Sequence, residues 1–227
     1  MRTLVSFFIL LSIKVITRIF YRVEVNWISP LKEDWSQIRL ISFMNHTSLY
    51  EPLYIVALPV SFLWRLARKM VIPGASKTMN RPLVGLFWKL FSPGMKTISR
   101  QRDKTWRDFM DAINNRSVII IAPEGRMKRA TGLDVKGNKM TVRSGIADIL
   151  DVLEEGRILF AYSGGLHHIQ EPGQRFPKLF KKIHMNLELI EIAEYKKIFQ
   201  SEGVQWKKDV VEDIRSRLEN NCPEQPE

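Results

Sequence analysis

The stretch SVIIIAPEGR holds five consecutive apolar residues, 118–122, and stops abruptly at Pro123. Successive side chains of a strand point to opposite faces, so an uninterrupted apolar run predicts a strand buried on both sides, in a sheet covered by helices. A second run, RLISFM at 39–44, reads as a short buried strand. Around these two runs the chain alternates. Helices are predicted over 48–58, with Pro52 in the first turn and Pro59 closing it, and over 81–91, where Leu83, Phe87, Leu90 and Phe91 share a face. Others follow over 103–115, with Trp106, Phe109, Met110 and Ile113 as the apolar stripe, over 144–156, ended by Gly156, and over 207–221. The segment 61–74 reads as a strand or short helix running into a turn, 96–100 and 157–165 as strands, and 181–195 as one or two strands.

This alternation, with no internal repeat, argues an α/β layered fold: a single domain with a mostly parallel or mixed central sheet flanked by helices, and a membrane-associating helix at its N-terminus. The chain has 227 residues and no Gly/Ser- or Pro-rich linker, which suits one domain, and its 45% apolar content supplies a real core. The expected organisation is an apolar and basic region over 1–30, the main domain over 31–218, and a loose polar tail over 219–227.

The N-terminal LVSFFILLSI carries no charge, and Lys14, Arg18 and Arg22 follow at steps of four, which places three cations on one face of a helix. The run is about half of the roughly 20 apolar residues that a spanning helix needs. No small-residue cleavage site follows it. The prediction is a helix lying in the bilayer interface with its cations toward the headgroups, against the alternative of an ordinary core helix.

The net charge of +11 is regional: across residues 65–129 fifteen Lys/Arg meet four Asp/Glu, which accounts for the whole excess. Such a concentration points to an anionic partner, whether nucleic acid, an acidic membrane surface or a phosphate-bearing substrate. The single cysteine, Cys222, excludes a disulfide within the chain and fits a reducing compartment. Its place in the tail, with no histidine near it in sequence, makes it a poor catalytic thiol.

Chemistry concentrates where the first buried strand ends, in SFMNHTSLYEPLY. His46 and Glu51 would stand about 140° apart on one regular helix. They meet if Ser48 is the N-cap and His46 lies in the turn before it, so that Glu51 in the first turn reaches back to the ring. A helix N-terminus beside the ring would then favour the neutral base. The competing reading is a capping box, Ser48-x-x-Glu51, with Glu51 bonding a backbone N–H and His46 idle. Spacing alone leaves both open. The second buried strand ends in Pro123-Glu124-Gly125, followed by Arg126, Lys128 and Arg129, a tight turn with open amides and cations that suits a phosphate. Arg100 and Arg102 form a third basic site after KTIS. A hydrolase reading rests on AYSGG around Ser163, where Ala161 replaces the first glycine of a nucleophile elbow. Adjacent His167 and His168 point to opposite faces of a strand, so no metal pair is expected there.

In order and spacing these blocks resemble the glycerolipid acyltransferases, the family that includes the bacterial lysophosphatidate acyltransferases. Asn45-His46 and Glu51 are similar to its first signature, Thr97-Ile98-Ser99-Arg100 to its second, Pro123-Glu124-Gly125-Arg126 to its third, and Ile158-Leu159-Phe160-Ala161, loosely, to its fourth. The likeness spans roughly residues 40–165. Three positions depart from the usual pattern: Glu51 stands for aspartate, no threonine precedes Arg126, and the fourth block lacks a proline.

The resemblance implies transfer of a fatty acyl group from acyl-CoA or acyl carrier protein to the free hydroxyl of a lysophospholipid, foremost 1-acyl-glycerol-3-phosphate, in phospholipid biosynthesis. It implies His46 as the base and Glu51 as its orienting acid, with Asn45, Arg100, Glu124, Gly125 and Arg126 in substrate binding and no metal or cofactor. The partners implied are membrane lipids and the acyl donor, not nucleic acid, at the cytoplasmic face of a membrane, the inner one in a bacterium. A different glycerolipid or aminolipid acceptor, and a non-catalytic membrane-bound relative, are the alternatives.

Overall fold

A computed structural model describes residues 1–29, 34–171, 174 and 176–226 of the chain. The expected boundary at 30/31 and Glu227, the last residue of the expected tail, lie outside them. The chain opens with helix α1 (Arg2–Phe20) and strand β1 (Arg22–Trp27), followed by β2 (Ile38–Met44), a 3-10 turn (Glu51–Ala57), α2 (Val60–Lys69) and β3 (Met70–Ala75). Next come α3 (Ser76–Met79), α4 (Pro82–Phe91), β4 (Gly94–Ile98), α5 (Lys104–Met110), β5 (Val118–Ile121) and α6 (Gly145–Val152). β6 (Arg157–Ser163), β7 (Lys182–Glu191), α7 (Ile192–Lys197) and α8 (Gly203–Asn221) complete the chain.

Among the described residues the strands form one seven-stranded sheet in the order β1-β7-β6-β2-β5-β3-β4. Every neighbouring pair is parallel except β6 and β7, so the sheet is mixed. β2 lies at its centre with Leu40 in register with Ile119 on one side and Ile158 on the other. Alternate residues feed two cores. Ile41, Leu159 and Ala161 pack with Leu10, Tyr54, Phe62 and Leu66 beneath α1, the 3-10 turn, α2 and α4. Leu40, Met44, Ile158, Phe160 and Tyr162 pack with Phe109, Ile146, Ile149, Tyr195, Val210 and Ile214 beneath α5 to α8. The apolar runs at 39–44 and 118–122 are therefore what a sheet with helices on both faces requires.

Four element predictions are corrected; the helix expected over 103–115 ends at Met110, so Ile113 of its predicted stripe lies beyond it. Residues 48–58 do not form an α-helix: Ser48 caps none, and the segment is a 3-10 turn starting at Glu51. The first α-helical bond to a Ser48 cap would come from the N–H of residue 52, and Pro52 has none. Residues 181–195 are not all strand, because β7 ends at Glu191 and α7 begins at once. The helix expected to reach Gly156 ends at Val152, and Gly156, at φ +94°, serves the turn into β6, packed against Arg39 and Gln37. At the C-terminus α8 runs to Asn221, so the first three residues of the expected tail are helical; beyond them the Glu224 carbonyl accepts from His184 Nδ1 at 3.3 Å.

α1 inverts the pattern of a soluble surface helix. Its inward line is Ser6, Leu10, Lys14 and Thr17: Ser6 Oγ donates to the Phe91 carbonyl at 2.5 Å, and Lys14 Nζ to the carbonyls of Val56 and Leu58 at 2.5 and 2.7 Å. Its outward face carries Leu4, Val5, Phe8, Val15, Ile16 and Ile19, and the neighbouring α4 exposes Leu83, at 83%, with Leu86, Phe87 and Leu90. By length and composition α1 is long and apolar enough to cross a membrane, making it a candidate membrane-associating helix. The expected row of three lipid-facing cations is not formed. Lys14 points into the domain and Arg22 belongs to β1, paired with Lys182, because the helix stops at Phe20.

Lys14 therefore ties α1 to the end of the Glu51–Ala57 turn. Burial, and then repulsion from Arg18, holds its ammonium below the ordinary lysine value, yet no acid pairs with it among the described residues. Lys14→Met, which removes charged donors from two carbonyls, is expected to lower unfolding free energy by about 2 kcal/mol. A urea titration reads this as a lower midpoint at unchanged slope, with Arg18→Gln on the exposed side as the neutral comparison.

Candidate active site

β2, β5, β3 and β4 run parallel, so their carboxyl ends open on one edge of the sheet, the edge where open α/β sheets bind ligands. Asn45 and His46 follow β2, Arg100 follows β4, and Pro123-Glu124-Gly125 follows β5. The chain turns sharply at each. Asn45, at φ +63°, takes the left-handed conformation that asparagine tolerates best among residues with a side chain, and its Nδ2 donates to the Ser163 carbonyl at the end of β6, 2.8 Å away. Gly125, at φ +62°, needs glycine for the same reason.

Glu51 holds the site together. One carboxylate oxygen, Oε2, lies 2.5 Å from His46 Nδ1, while Oε1 accepts the backbone N–H groups of Thr47, at 2.7 Å, and Ser48, at 3.2 Å. The dyad is thus formed without the Ser48-capped helix expected to deliver it, and of the competing capping box only the bonding of Glu51 to backbone amides is realised. Ser48 Oγ does not complete a capping box; it accepts from Tyr50 N at 3.1 Å. With Nδ1 on the carboxylate, the proton resides there and Nε2 is left as the acceptor. Nε2 makes no hydrogen bond among the described residues, and His46 lines the cavity described below.

A second carboxylate lies behind the ring. Glu124 is 1% exposed, and its Oε1 accepts from the His46 backbone N–H at 3.1 Å while Oε2 has no partner among the described residues. Burial pushes Glu124 up to about 7, against the opposing pull of His46 and its amide. The imidazole feels burial, which lowers its pKa, but the charge and hydrogen bond of Glu51 together with the charge of Glu124 outweigh burial and Arg100, so it sits above the ordinary 6.5. The expected helix-terminus effect, favouring the neutral ring, is overridden because two carboxylates rather than an α-helix N-terminus adjoin it. The loop is further pinned by Lys128 N donating to the His46 carbonyl, at 2.7 Å, and by Thr47 Oγ1 accepting from Leu166 N, at 2.9 Å.

Opposite the dyad stands a cationic wall. Arg100, at φ +69°, is held below the ordinary arginine value by burial and then by Arg126 and Arg143, so the three guanidiniums share one space. Arg126 is tied to Asp134 and, at 3.3 Å, to Thr141, and its buried Nε has no partner among the described residues. Among the described residues a carboxylate bonds one of these three guanidiniums, Arg126, which leaves the cluster with capacity for an anion. The loop carrying Arg100 is fixed by Asp103, which caps α5, and by Arg102, which bonds Asp148 at 2.7 Å.

The dyad and the cationic wall line one cavity of about 1190 Å³. Its inner part is apolar, with Leu10 of α1, Trp88 and Phe91 of α4, and Met185 and Leu187 of β7. Of the residues to which the resemblance gives a catalytic or binding role, His46, Glu51, Arg100, Gly125 and Arg126 reach this cavity. Asn45 and Glu124 do not line it; they hold the backbone around His46 from behind. Arg143 went unnoticed in the sequence because it belongs to no motif; its N–H donates to the Pro123 carbonyl at 2.8 Å, which folds it onto Gly125. Ser163 is fully buried, its Oγ 2.6 Å from the Tyr54 hydroxyl, with no histidine bonded to it among the described residues, so it is no exposed nucleophile. Among the described residues no group of three or more His, Cys, Asp or Glu is placed to hold a metal ion.

No family model and no curated protein matches the sequence. Among solved structures the fold is similar to that of the 1-acyl-sn-glycerophosphate acyltransferase PlsC from Thermotoga maritima, with a TM-score of 0.56 and 17% identity over 96% of this chain and 83% of that one. The likeness shows a shared α/β architecture.

The imidazole of His46 is expected to titrate above 6.5 in an NMR pH titration, and Glu51→Gln to lower that pKa. The substitution removes the charge and charged hydrogen bond that raise it most and leaves Glu124 alone against burial and Arg100. An unchanged titration would show that Glu51 does not control the ring.

Proposed function

We propose that this chain is an O-acyltransferase that moves a fatty acyl group from an acyl thioester, acyl-CoA or acyl carrier protein, to the free hydroxyl of a lysophospholipid, with 1-acyl-glycerol-3-phosphate as the acceptor that best suits the site. The observation that carries the reading is one cavity whose wall holds both the open edge of the His46–Glu51 pair and the Arg100, Arg126 and Arg143 cluster, above an apolar interior. A lysophospholipid presents these three chemistries together: a hydroxyl, a phosphate and an acyl chain. The T. maritima protein with the similar fold is an acyltransferase for 1-acyl-sn-glycerophosphate, which supports the same assignment.

In this scheme His46 Nε2 takes the proton of the acceptor hydroxyl as its oxygen attacks the thioester carbonyl. Collapse of the tetrahedral adduct breaks the C–S bond, and the imidazolium returns the proton to the departing thiolate. Glu51 stabilises the imidazolium in between, the role its 2.5 Å contact fits. Arg100, Arg126 and Arg143, with the Gly125 backbone close by, hold the phosphate; Asn45 and Glu124 keep the His46 loop in place. The apolar outer faces of α1 and α4 sit in the bilayer interface on the cytoplasmic side, where substrate and product reside. α1 lies there rather than spanning, since its inner line is hydrogen-bonded to the domain at Ser6 and Lys14. The inward faces of the same helices line the cavity, which gives the acyl chain a route from the membrane.

Purified protein incubated with labelled acyl donors and a panel of lysolipids tests the assignment. His46→Ala is expected to reduce transfer to a small residual rate, measurable in single turnover, while vesicle binding stays intact, and equal transfer by both proteins would refute the reading. Arg143→Gln is expected to raise KM for a phosphate-bearing acceptor by about 10- to 100-fold, the loss of one charged hydrogen bond, with a smaller change in kcat.

A further inference from the structure

The basic excess of residues 65–129 is not all spent at the cavity. Arg65, Arg68, Lys69 and Arg116 gather with Trp64 and Asn115 around a separate pocket of about 310 Å³. Arg68 and Lys69 lie in the last turn of α2, just before the amino end of β3, and Arg116 precedes the amino end of β5. The dyad stands at the carboxyl ends, so the length of β3, about 20 Å of strand, separates the two sites.

The pocket is built from two segments. Arg39 fixes the second, donating from Nε to the Ser117 carbonyl at 2.9 Å and from Nη2 to that of Asn114 at 2.8 Å, and the turn so pinned presents Arg116. Arg65 bonds the Trp35 carbonyl at 2.6 Å and lies over the Phe62 ring, with Asp34 near enough to influence it. The side chains of Arg68, Lys69 and Arg116 make no hydrogen bond or ion pair among the described residues. The outward stripe of α2 runs Val60, Trp64, Arg68 at steps of four, from apolar through aromatic to cationic. Trp64, 38% exposed, packs edge-on against the half-buried Phe7 of α1, which adjoins the exposed Phe8, so the pocket lies beside that helix near its apolar face. That order of residues is the order of a bilayer leaflet: hydrocarbon, interface, phosphate.

We propose that this pocket binds the phosphate-bearing headgroup of an anionic membrane lipid that is not a substrate, and so fixes how the domain sits on the bilayer. The inference rests on the interfacial placement of α1 and is independent of the acyl-transfer chemistry. Charge complementarity selects the occupant: three uncommitted cations around one pocket, beside a tryptophan and an apolar helix face, fit a phosphodiester at the membrane surface.

Partition of the full chain onto phosphatidylcholine vesicles with and without phosphatidylglycerol, at low salt, tests it. The wild type is expected to prefer the anionic vesicles, and Arg68→Gln/Lys69→Gln/Arg116→Gln to lose that preference by about fivefold per charge removed, while binding phosphatidylcholine as before. A control that removes three cations from the opposite face, at Lys197, Lys208 and Arg215, is expected to keep it. Equal loss in the control would reduce the effect to net charge and overturn the proposal, as would a triple variant that keeps its preference. Loss of the preference on adding soluble glycerol phosphate or a short oligonucleotide would make a free phosphate or a nucleic acid the occupant instead. A wild type that binds neither vesicle would remove the interfacial placement itself. Activity of His46 variants bears on none of these outcomes.

Discussion

A single carboxylate organises the site. Glu51 spends one oxygen on the amides of Thr47 and Ser48 and the other on the imidazole of His46, so the same group that shapes the turn after β2 also sets the tautomer and basicity of the ring. A half-buried carboxylate with three donors is strongly preorganised: the backbone bonds on one oxygen fix the direction in which the other faces the ring. Glutamate carries one methylene more than aspartate, and the 3-10 turn begun at Glu51 supplies the geometry in which the longer side chain reaches both partners.

The sheet explains why this group has chemistry to do. Parallel β2, β5 and β4 deliver the His46 loop, the Gly125 turn and Arg100 to one edge, and left-handed residues at Asn45, Arg100 and Gly125 turn the chain there. Charge is divided across that edge. Glu51 and Glu124 adjoin the imidazole, and Arg100, Arg126 and Arg143 gather in the same cavity, Arg126 bonded to Asp134. α1 enters the same construction from below, because Lys14 holds the far end of the turn that Glu51 begins.

Much of this was legible in the sequence. Continuous apolar runs located the two central strands, since no other element is buried on both faces over so few residues, and helical spacing located α4 and α5. What was not legible depends on long-range contacts. The spacing of His46 and Glu51 could not choose between dyad and cap, because both bonds come from the same side chain. Lys14 looked lipid-facing until the carbonyls of Val56 and Leu58, more than forty residues away, were placed beneath it. Arg143 carries no local signal; the backbone bond to Pro123 brings it to the cationic wall. Glu124 read as a phosphate-site residue from its motif, whereas its burial against the His46 amide makes it a support for the loop.

The claim at the centre is that Glu51 acts through His46. A double-mutant cycle on single-turnover transfer measures this directly. If the carboxylate works by orienting and charging the imidazole, Glu51→Gln slows transfer in the native background and changes nothing further once His46 is alanine. Losses that simply multiply in the double variant would contradict the account, since each residue would then contribute without the other.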